Sequence, residues 1–332
     1  MQRSRIWKVV YPLITVLTSS MFFSLSYFAA KSLHGVSGIE LGSVRSFLMA
    51  LMLLVPSIYK KKFFEMFKFG KAKYRLLFRC SLAVIGTICI YTGVKFIDLP
   101  DFTAIQYTYL VITAIFARIF LKERFGWIKA LASMLALFGV IMVTQPEIFT
   151  TMRHTVEKNI SKSNEGSNSE SNLRMVGVVL SLCSALISAS VFCVVRTLVT
   201  GEDAIKSTVI VFTCSWITAI TLLFIAFFHR LMSHSLPTPN WRNFLYILLG
   251  SVSALLGHLL QNEALRVSSA TFVAIGRSSA IVFSFIFQII ISPSSVLQKH
   301  VPTFVGIVVI VISVTSLSLD NLRNKGKTSI HK

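Results

Sequence analysis

The hydrophilic run SKSNEGSNSESN, Ser161–Asn172, is followed after Leu173-Arg174 by MVGVVLSLCSALISASVFCVVRTL, Met175–Leu198. The first is rich in Ser, Asn and Glu and too polar to bury a core, so it reads as a flexible linker. The second is long and apolar enough to cross a bilayer, whose hydrocarbon core of about 30 Å needs about 20 residues of helix. Nine further stretches of this kind flank it, at Val10–Ala30, Ile39–Ile58, Leu76–Ile97, Phe102–Leu121, Trp127–Thr144, Ser207–Phe228, Phe244–Leu265, Ala270–Ile291 and Val301–Leu317. The linker region Gln145–Arg174 therefore separates five spans from five. The expected fold is an all-α membrane protein of ten transmembrane helices. Its divisions are a first repeat over residues 1–145, a hydrophilic linker over 146–174, a second repeat over 175–319 and a basic tail over 320–332.

Composition agrees with membrane residence. Hydrophobic residues make up 54% of the 332 and charged residues 14%, against roughly a quarter charged in a soluble domain. Cys80, Cys89, Cys183, Cys193 and Cys214 all fall within apolar spans, where a free thiol packs as a small hydrophobe. No Cys or His spacing suggests zinc or a disulfide framework.

The net charge of +20 raises the question of nucleic acid. Its distribution answers against it, because the Lys and Arg residues cluster at helix ends, where they set orientation. With the N-terminus cytoplasmic, 22 basic residues fall in cytoplasmic segments and 9 outside. The largest group lies in Lys60–Arg79, a stretch that could also meet anionic lipid. Both termini are thus expected in the cytoplasm and the linker on the opposite side. The N-terminal apolar run exceeds a typical signal-peptide core and is expected to remain as the first helix. Asn159-Ile160-Ser161 is an N-glycosylation sequon in the linker. Trp7, Trp127 and Trp241 sit at expected helix ends, as interfacial aromatics do, while Trp216 lies mid-span without that explanation.

Five spans per half have a geometric consequence: the second half enters the membrane from the side opposite to the first. Each half also has a tight connection between its third and fourth spans, Asp98-Leu99-Pro100-Asp101 and Arg266-Val267-Ser268-Ser269. Inverted repeats around a central site are a common transporter plan, because rocking one half against the other gives alternating access.

Particular residues carry a family resemblance. Phe116-Ala117-Arg118-Ile119-Phe120-Leu121-Lys122-Glu123-Arg124, then Gly139-Val140-Ile141-Met142-Val143 and Pro146, resemble the end of an EamA repeat, the unit of the drug/metabolite transporter superfamily. Ser43-Val44-Arg45-Ser46-Phe47 with Leu51–Pro56 looks like the second helix of such a repeat. Ala274-Ile275, Arg277 and Val282-Phe283-Ser284-Phe285-Ile286-Phe287-Gln288-Ile289-Ile290 are similar to subfamily G of solute carrier family 35. The resemblance covers the chain apart from its tails and linker. It implies a ten-helix carrier with a cavity between two halves, resident in the plasma membrane or the secretory pathway. Where the first half has Lys122-Glu123, the second has Ser292-Pro293-Ser294-Ser295, so its acidic position is missing.

Ionisable residues inside spans are costly and usually face a cavity, starting at roughly 2.5–3.5 kcal/mol for Arg near a helix centre. Arg45 and Arg277 lie about six and seven residues into spans that enter from opposite sides, about 9 and 10 Å deep at 1.5 Å per residue. A guanidinium offers paired donors to a carboxylate or phosphate; the bland alternative is snorkelling or packing against carbonyls. Glu263 is the acidic residue well within a span. It could carry a coupling proton, pair with a base, or simply snorkel. Gln106, Tyr109 and Thr113, at i, i+3 and i+7, are expected on one helix face, and Gln261 and Asn262 add polarity to another span. Helix–helix hydrogen bonding is the competing account of these groups.

No Gly-rich phosphate loop, HExxH motif or GxSxG elbow is present in the sequence, and neither an enzyme nor a cofactor is indicated. His229 and His234 read as ordinary loop residues. The expected function is a secondary transporter of small organic anions, of carboxylate or nucleotide-sugar type. Arg45 and Arg277 would anchor the anion, with Gln106, Tyr109, Gln261 and Glu263 as further binding groups. Expected partners are membrane lipid and the substrate, with room for a homodimer and no role for nucleic acid. A regulatory membrane protein acting through the basic Lys60–Arg79 loop is the alternative, separable by uptake in reconstituted vesicles; an ion channel is a further rival, without a visible polar pore-lining helix.

Overall fold

The computed structural model describes residues 2–33, 38–59, 72–97, 99–123, 126–144, 168–201, 204–233, 241–291 and 301–328. Asn159, residues 146–167 of the linker and residues 329–332 of the tail lie outside them. Among these residues twelve helices follow in order: α1 Gln2–Lys31, α2 Gly38–Tyr59, α3 Lys73–Gly93, α4 Leu99–Gln106, α5 Tyr109–Phe120, α6 Trp127–Thr144, α7 Asn168–Val199, α8 Ser207–Ser233, α9 Trp241–Val267, α10 Ala270–Arg277, α11 Ser279–Ile291 and α12 Val301–Thr328. Nine spans among them are long and apolar enough to cross a membrane, and Thr303–Ser318 within α12 adds a shorter apolar tenth. The helices overrun the apolar cores: α1 begins at Gln2 rather than Val10, and α12 runs through the expected tail to Thr328. Backbone hydrogen bonding continues past the point where apolarity stops.

Two expected spans are each broken. The stretch Phe102–Leu121 is not one helix but α4 and α5, interrupted at Tyr107 and Thr108. Ala270–Ile291 is likewise α10 and α11, interrupted at Ser278. At both breaks the backbone tightens to i→i+3 bonds, from Thr108 N–H to the Ile105 carbonyl and from Ser278 N–H to the Ile275 carbonyl. The same two hydroxyls bond back to the same carbonyls, Thr108 Oγ1 at 2.7 Å and Ser278 Oγ at 2.6 Å. A hydroxyl that competes for a helical carbonyl loosens the local ladder, and short tight turns inside helices often mark hinges.

The helices pair across the two halves in a pattern that a two-fold relation produces. α1 packs on α9 and α3 on α7, and these pairs exchange when the halves are exchanged; α2–α8 and α6–α12 map onto themselves. Small residues make the seams. On α1, Ser19 and Ser26 donate to the carbonyls of Gly257 and Gly250 on α9, each at 2.9 Å. On α12, Ser313 donates to the Ala132 carbonyl of α6 at 2.6 Å. A Cβ on Gly306 would stand 2.6 Å from the Gly139 carbonyl oxygen, so that crossing admits only glycine without movement. Such close approach is how membrane helices gain packing where lipid offers no hydrophobic gradient. The outer faces carry large apolar side chains, among them Ile119, Phe120, Leu131, Phe224 and Phe227. Trp216 belongs to this fabric: its ring stacks on Phe47 of α2 and Phe212 of α8, with centroids 6.0 and 6.4 Å away.

Candidate functional site

Between the halves lies a cavity of about 260 Å³, lined from α1, α2, α3, α7, α8 and α9 and from both helix breaks. Arg45 of α2 and Arg277 at the end of α10 both line it, as do Gln106, Tyr109 and Gln261. Thus the two arginines, from spans expected to enter the membrane on opposite sides, share one chamber. Arg79 also lines it. In the sequence it counts with the basic residues of the cytoplasmic loop, yet α3 begins at Lys73 and takes Arg79 into the bundle. The signal available was its place inside the apolar register of the third span, where the charged stretch before it drew the reading outward. His258, which the sequence reading did not single out, lines the cavity from α9.

The arginines are held differently. Arg277 donates to the Gln261 side-chain oxygen and to the Tyr27 hydroxyl, the latter at 3.4 Å, and its guanidinium lies 3.4 Å from the centroid of the Phe23 ring. An aromatic face attracts a cation, more so where water is scarce. Arg45 Nε, Arg79 Nε and Arg79 Nη1 are buried and have no hydrogen-bond partner among the described residues. A buried donor left in this state costs about 1–3 kcal/mol, and more when it is charged. Among the described residues, no Asp or Glu lines the cavity. The chamber therefore presents three guanidinium groups and unmet donors, with no carboxylate among the described lining residues to neutralise them.

The remaining candidates separate. Glu263 lies away from the cavity and pairs with Arg266 one turn on, at 3.5 Å, both partly exposed. Gln106 and Tyr109 fall on opposite sides of the break and both still line the cavity. Thr113 is buried in α5 outside the cavity lining, with its hydroxyl unpaired. Asn262 joins Gln261 on the cavity wall. Among the described residues, no group of three or more His, Cys, Asp or Glu side chains is placed to hold a metal ion. Cys80 and Cys214 are free thiols whose sulfurs approach to 3.1 Å across the α3–α8 contact.

At the N-terminus of α10, Glu123 Oε1 accepts the Ala270 N–H at 3.0 Å, and Ser269 caps the same helix by accepting from Phe272 N–H. An acid at a helix N-terminus is favoured by the helix dipole. The Glu123 of the first half thereby anchors the broken helix of the second, while Arg196 of α7 donates to the Leu265 carbonyl at the end of α9.

Ten spans in two interlocked halves, each sending one broken helix to a shared central cavity, define a membrane transporter fold. Residues 10–145 and 175–319 both match the model of the EamA-like transporter family, and the chain belongs to that family. It is similar to solute carrier family 35 member G1 of Mus musculus, 27% identical over 278 residues, spanning 83% of this chain and 70% of that one. The Homo sapiens protein of the same name is 26% identical over 280 residues, 84% of this chain and 71% of that one. Among solved structures, one crystal structure superposes with a TM-score of 0.71 at 10% identity, covering 93% of this chain and 97% of the other, a likeness of fold.

Proposed function

We propose that the chain is a secondary carrier of small organic anions and works by alternating access. The observation that carries this reading is the set Arg45, Arg79 and Arg277 on one cavity whose described lining residues include no carboxylate. Unmet donors on Arg45 and Arg79 call for oxyanion oxygens. Three fixed cations favour a substrate with more than one negative charge. The volume, about 260 Å³, falls just below the roughly 300 Å³ at which pockets for drug-sized ligands begin. That favours a small di- or tricarboxylate over a nucleotide sugar. Gln106, Tyr109 and Gln261 would orient the substrate, and Glu263 would stay outside the binding set. The broken helices supply the hinges that moving halves need.

The sidedness that accompanies this reading has both termini cytoplasmic, the linker outside and Asn159 open to glycosylation, in the plasma membrane or a secretory-pathway membrane. Cysteine placed at Ser167 should react with an impermeant thiol reagent from the non-cytoplasmic side; labelling confined to the cytoplasmic side would overturn the assignment. The substrate reading is tested by thermal shift of the purified full chain against di- and tricarboxylates, nucleotide sugars and neutral solutes. Stabilisation by small carboxylates is expected. Stabilisation by neutral solutes alone refutes the anion reading. A regulatory protein acting through its basic loop would show no uptake in reconstituted vesicles for any stabilising ligand.

A further inference from the structure

The cavity wall carries several types of ionisable side chain, and one of these types ordinarily titrates near neutral pH. Guanidinium groups stay charged throughout. Tyr27, Tyr107, Tyr109 and Cys214, the other titratable side chains on the wall, belong to types that ionise well above neutrality. Imidazole is the type whose ordinary titration falls between pH 5 and 8, and among the described lining residues it is represented by His258 alone. Its ring meets the Phe23 ring edge to face, with centroids 4.8 Å apart. Phe23 is the same ring that carries the Arg277 guanidinium on its face. His258 and Arg277 thus share one aromatic neighbour within the substrate chamber.

Resting on the anion-carrier reading, we propose that His258 is the proton-coupling group of this carrier, becoming protonated when the anion binds. The charged and titratable groups around the chamber are Tyr27 from α1, Arg45 from α2, Arg79 from α3, Cys214 from α8, Arg277 from α10, and Tyr107 and Tyr109 at the α4–α5 break. Glu263, on the same helix as His258, is engaged with Arg266 outside the chamber. Without an anion, three positive charges in the chamber oppose a fourth on His258. An anion seated among the guanidinium groups offsets most of their charge and so favours the imidazolium. The balance is simple: one proton from solvent adds to the unprotonated ring nitrogen as the anion enters, and both leave together. Because linkage is reciprocal, the anion must bind more tightly as the pH falls. For one proton the limit is about tenfold in affinity per pH unit.

Sulfate is the appropriate probe, since it remains a dianion from pH 5.5 to 8 and any pH dependence then belongs to the protein. Sulfate binding to the full chain in lipid nanodiscs should be followed by calorimetry across that range, in buffers of different ionisation heat to count protons. The wild type should strengthen toward low pH, approaching tenfold per unit, and take up close to one proton per sulfate near the middle of the transition. His258→Gln should lose the slope and the proton uptake. Arg79→Gln should weaken binding at every pH while keeping the slope, which separates anchoring from coupling. A flat pH profile in the wild type, with sulfate bound and no proton taken up, overturns the proposal without touching the anion reading. So does a His258→Gln protein that keeps the wild-type slope. Failure of the wild type to bind sulfate at any pH removes the anion site itself, and the coupling with it.

Discussion

The two broken helices repeat one backbone device and carry different chemistry. α4–α5 and α10–α11 each stop for a single tight turn, held by a Thr or Ser hydroxyl on the carbonyl three residues back. At the first break the side chains that meet the cavity are the neutral Gln106, Tyr107 and Tyr109; at the second it is Arg277. Support differs as well. α10 is capped by Ser269 and anchored by Glu123 from the other half, whereas the first break meets the cavity with aromatic rings, Tyr109 stacking on Phe192 at 5.6 Å. The difference teaches that a duplicated fold can keep its hinge and place its charge on one side only. Under the proposed function, the second break would contribute to substrate selection and the first would shape the chamber around it.

Substitution at the two breaks should break or sharpen that comparison. Arg277→Gln removes a charge-assisted contact, worth about 1.5–3 kcal/mol, which is roughly 10- to 150-fold in the Kd of a bound anion. Arg277→Lys should recover part of this, lacking the planar fork and the flat stack on Phe23. Isothermal titration with a stabilising carboxylate reads both. Gln106→Ala, the matching change at the first break, deletes a neutral partner and should cost about 0.5–1.5 kcal/mol, or up to roughly tenfold in Kd. Equal losses at the two sites would erase the asymmetry.

Glu123→Gln keeps an acceptor for the Ala270 N–H and loses the charge at the helix end, worth about 0.3–1 kcal/mol. A modest fall in thermal stability is expected, with anion affinity unchanged. The smallest effects should come from the hinge hydroxyls. In Thr108→Ala and Ser278→Ala the carbonyls of Ile105 and Ile275 still receive a backbone N–H, so each change should cost about 0.5 kcal/mol, the low end for a hydrogen bond. Their mark should be kinetic, read as altered exchange rates in vesicles at unaltered Kd.

Some of this was open to the sequence and some was closed to it. Spans were visible because lipid demands long apolar runs, and their number with the linker position implied inverted halves. Arg45 and Arg277 stood out because charge in an apolar run is rare. The helix breaks were hidden: Gln106–Tyr109 and Arg277–Ser279 contain no proline, and Ser and Thr sit as readily in a continuous membrane helix. Arg79 was masked by the basic stretch that precedes it, since composition alone does not tell where a helix enters the bilayer. His258 was overlooked among apolar neighbours, because only the packing of α9 on α1 sets it beside Phe23 and the arginines. Glu263 attracted interest by its charge, yet one turn on stands Arg266, a pairing that i,i+3 spacing permits.

The central claim is that three arginines from separate helices form one anion site. Uptake of a stabilising di- or tricarboxylate into vesicles, compared for the wild type and the single variants Arg45→Gln, Arg79→Gln and Arg277→Gln, tests it most directly. Saturable uptake in the wild type is predicted, with the apparent affinity lowered about tenfold or more in each variant that reconstitutes as well as the wild type. Three well-folded variants that carry the same anion with wild-type affinity would contradict it.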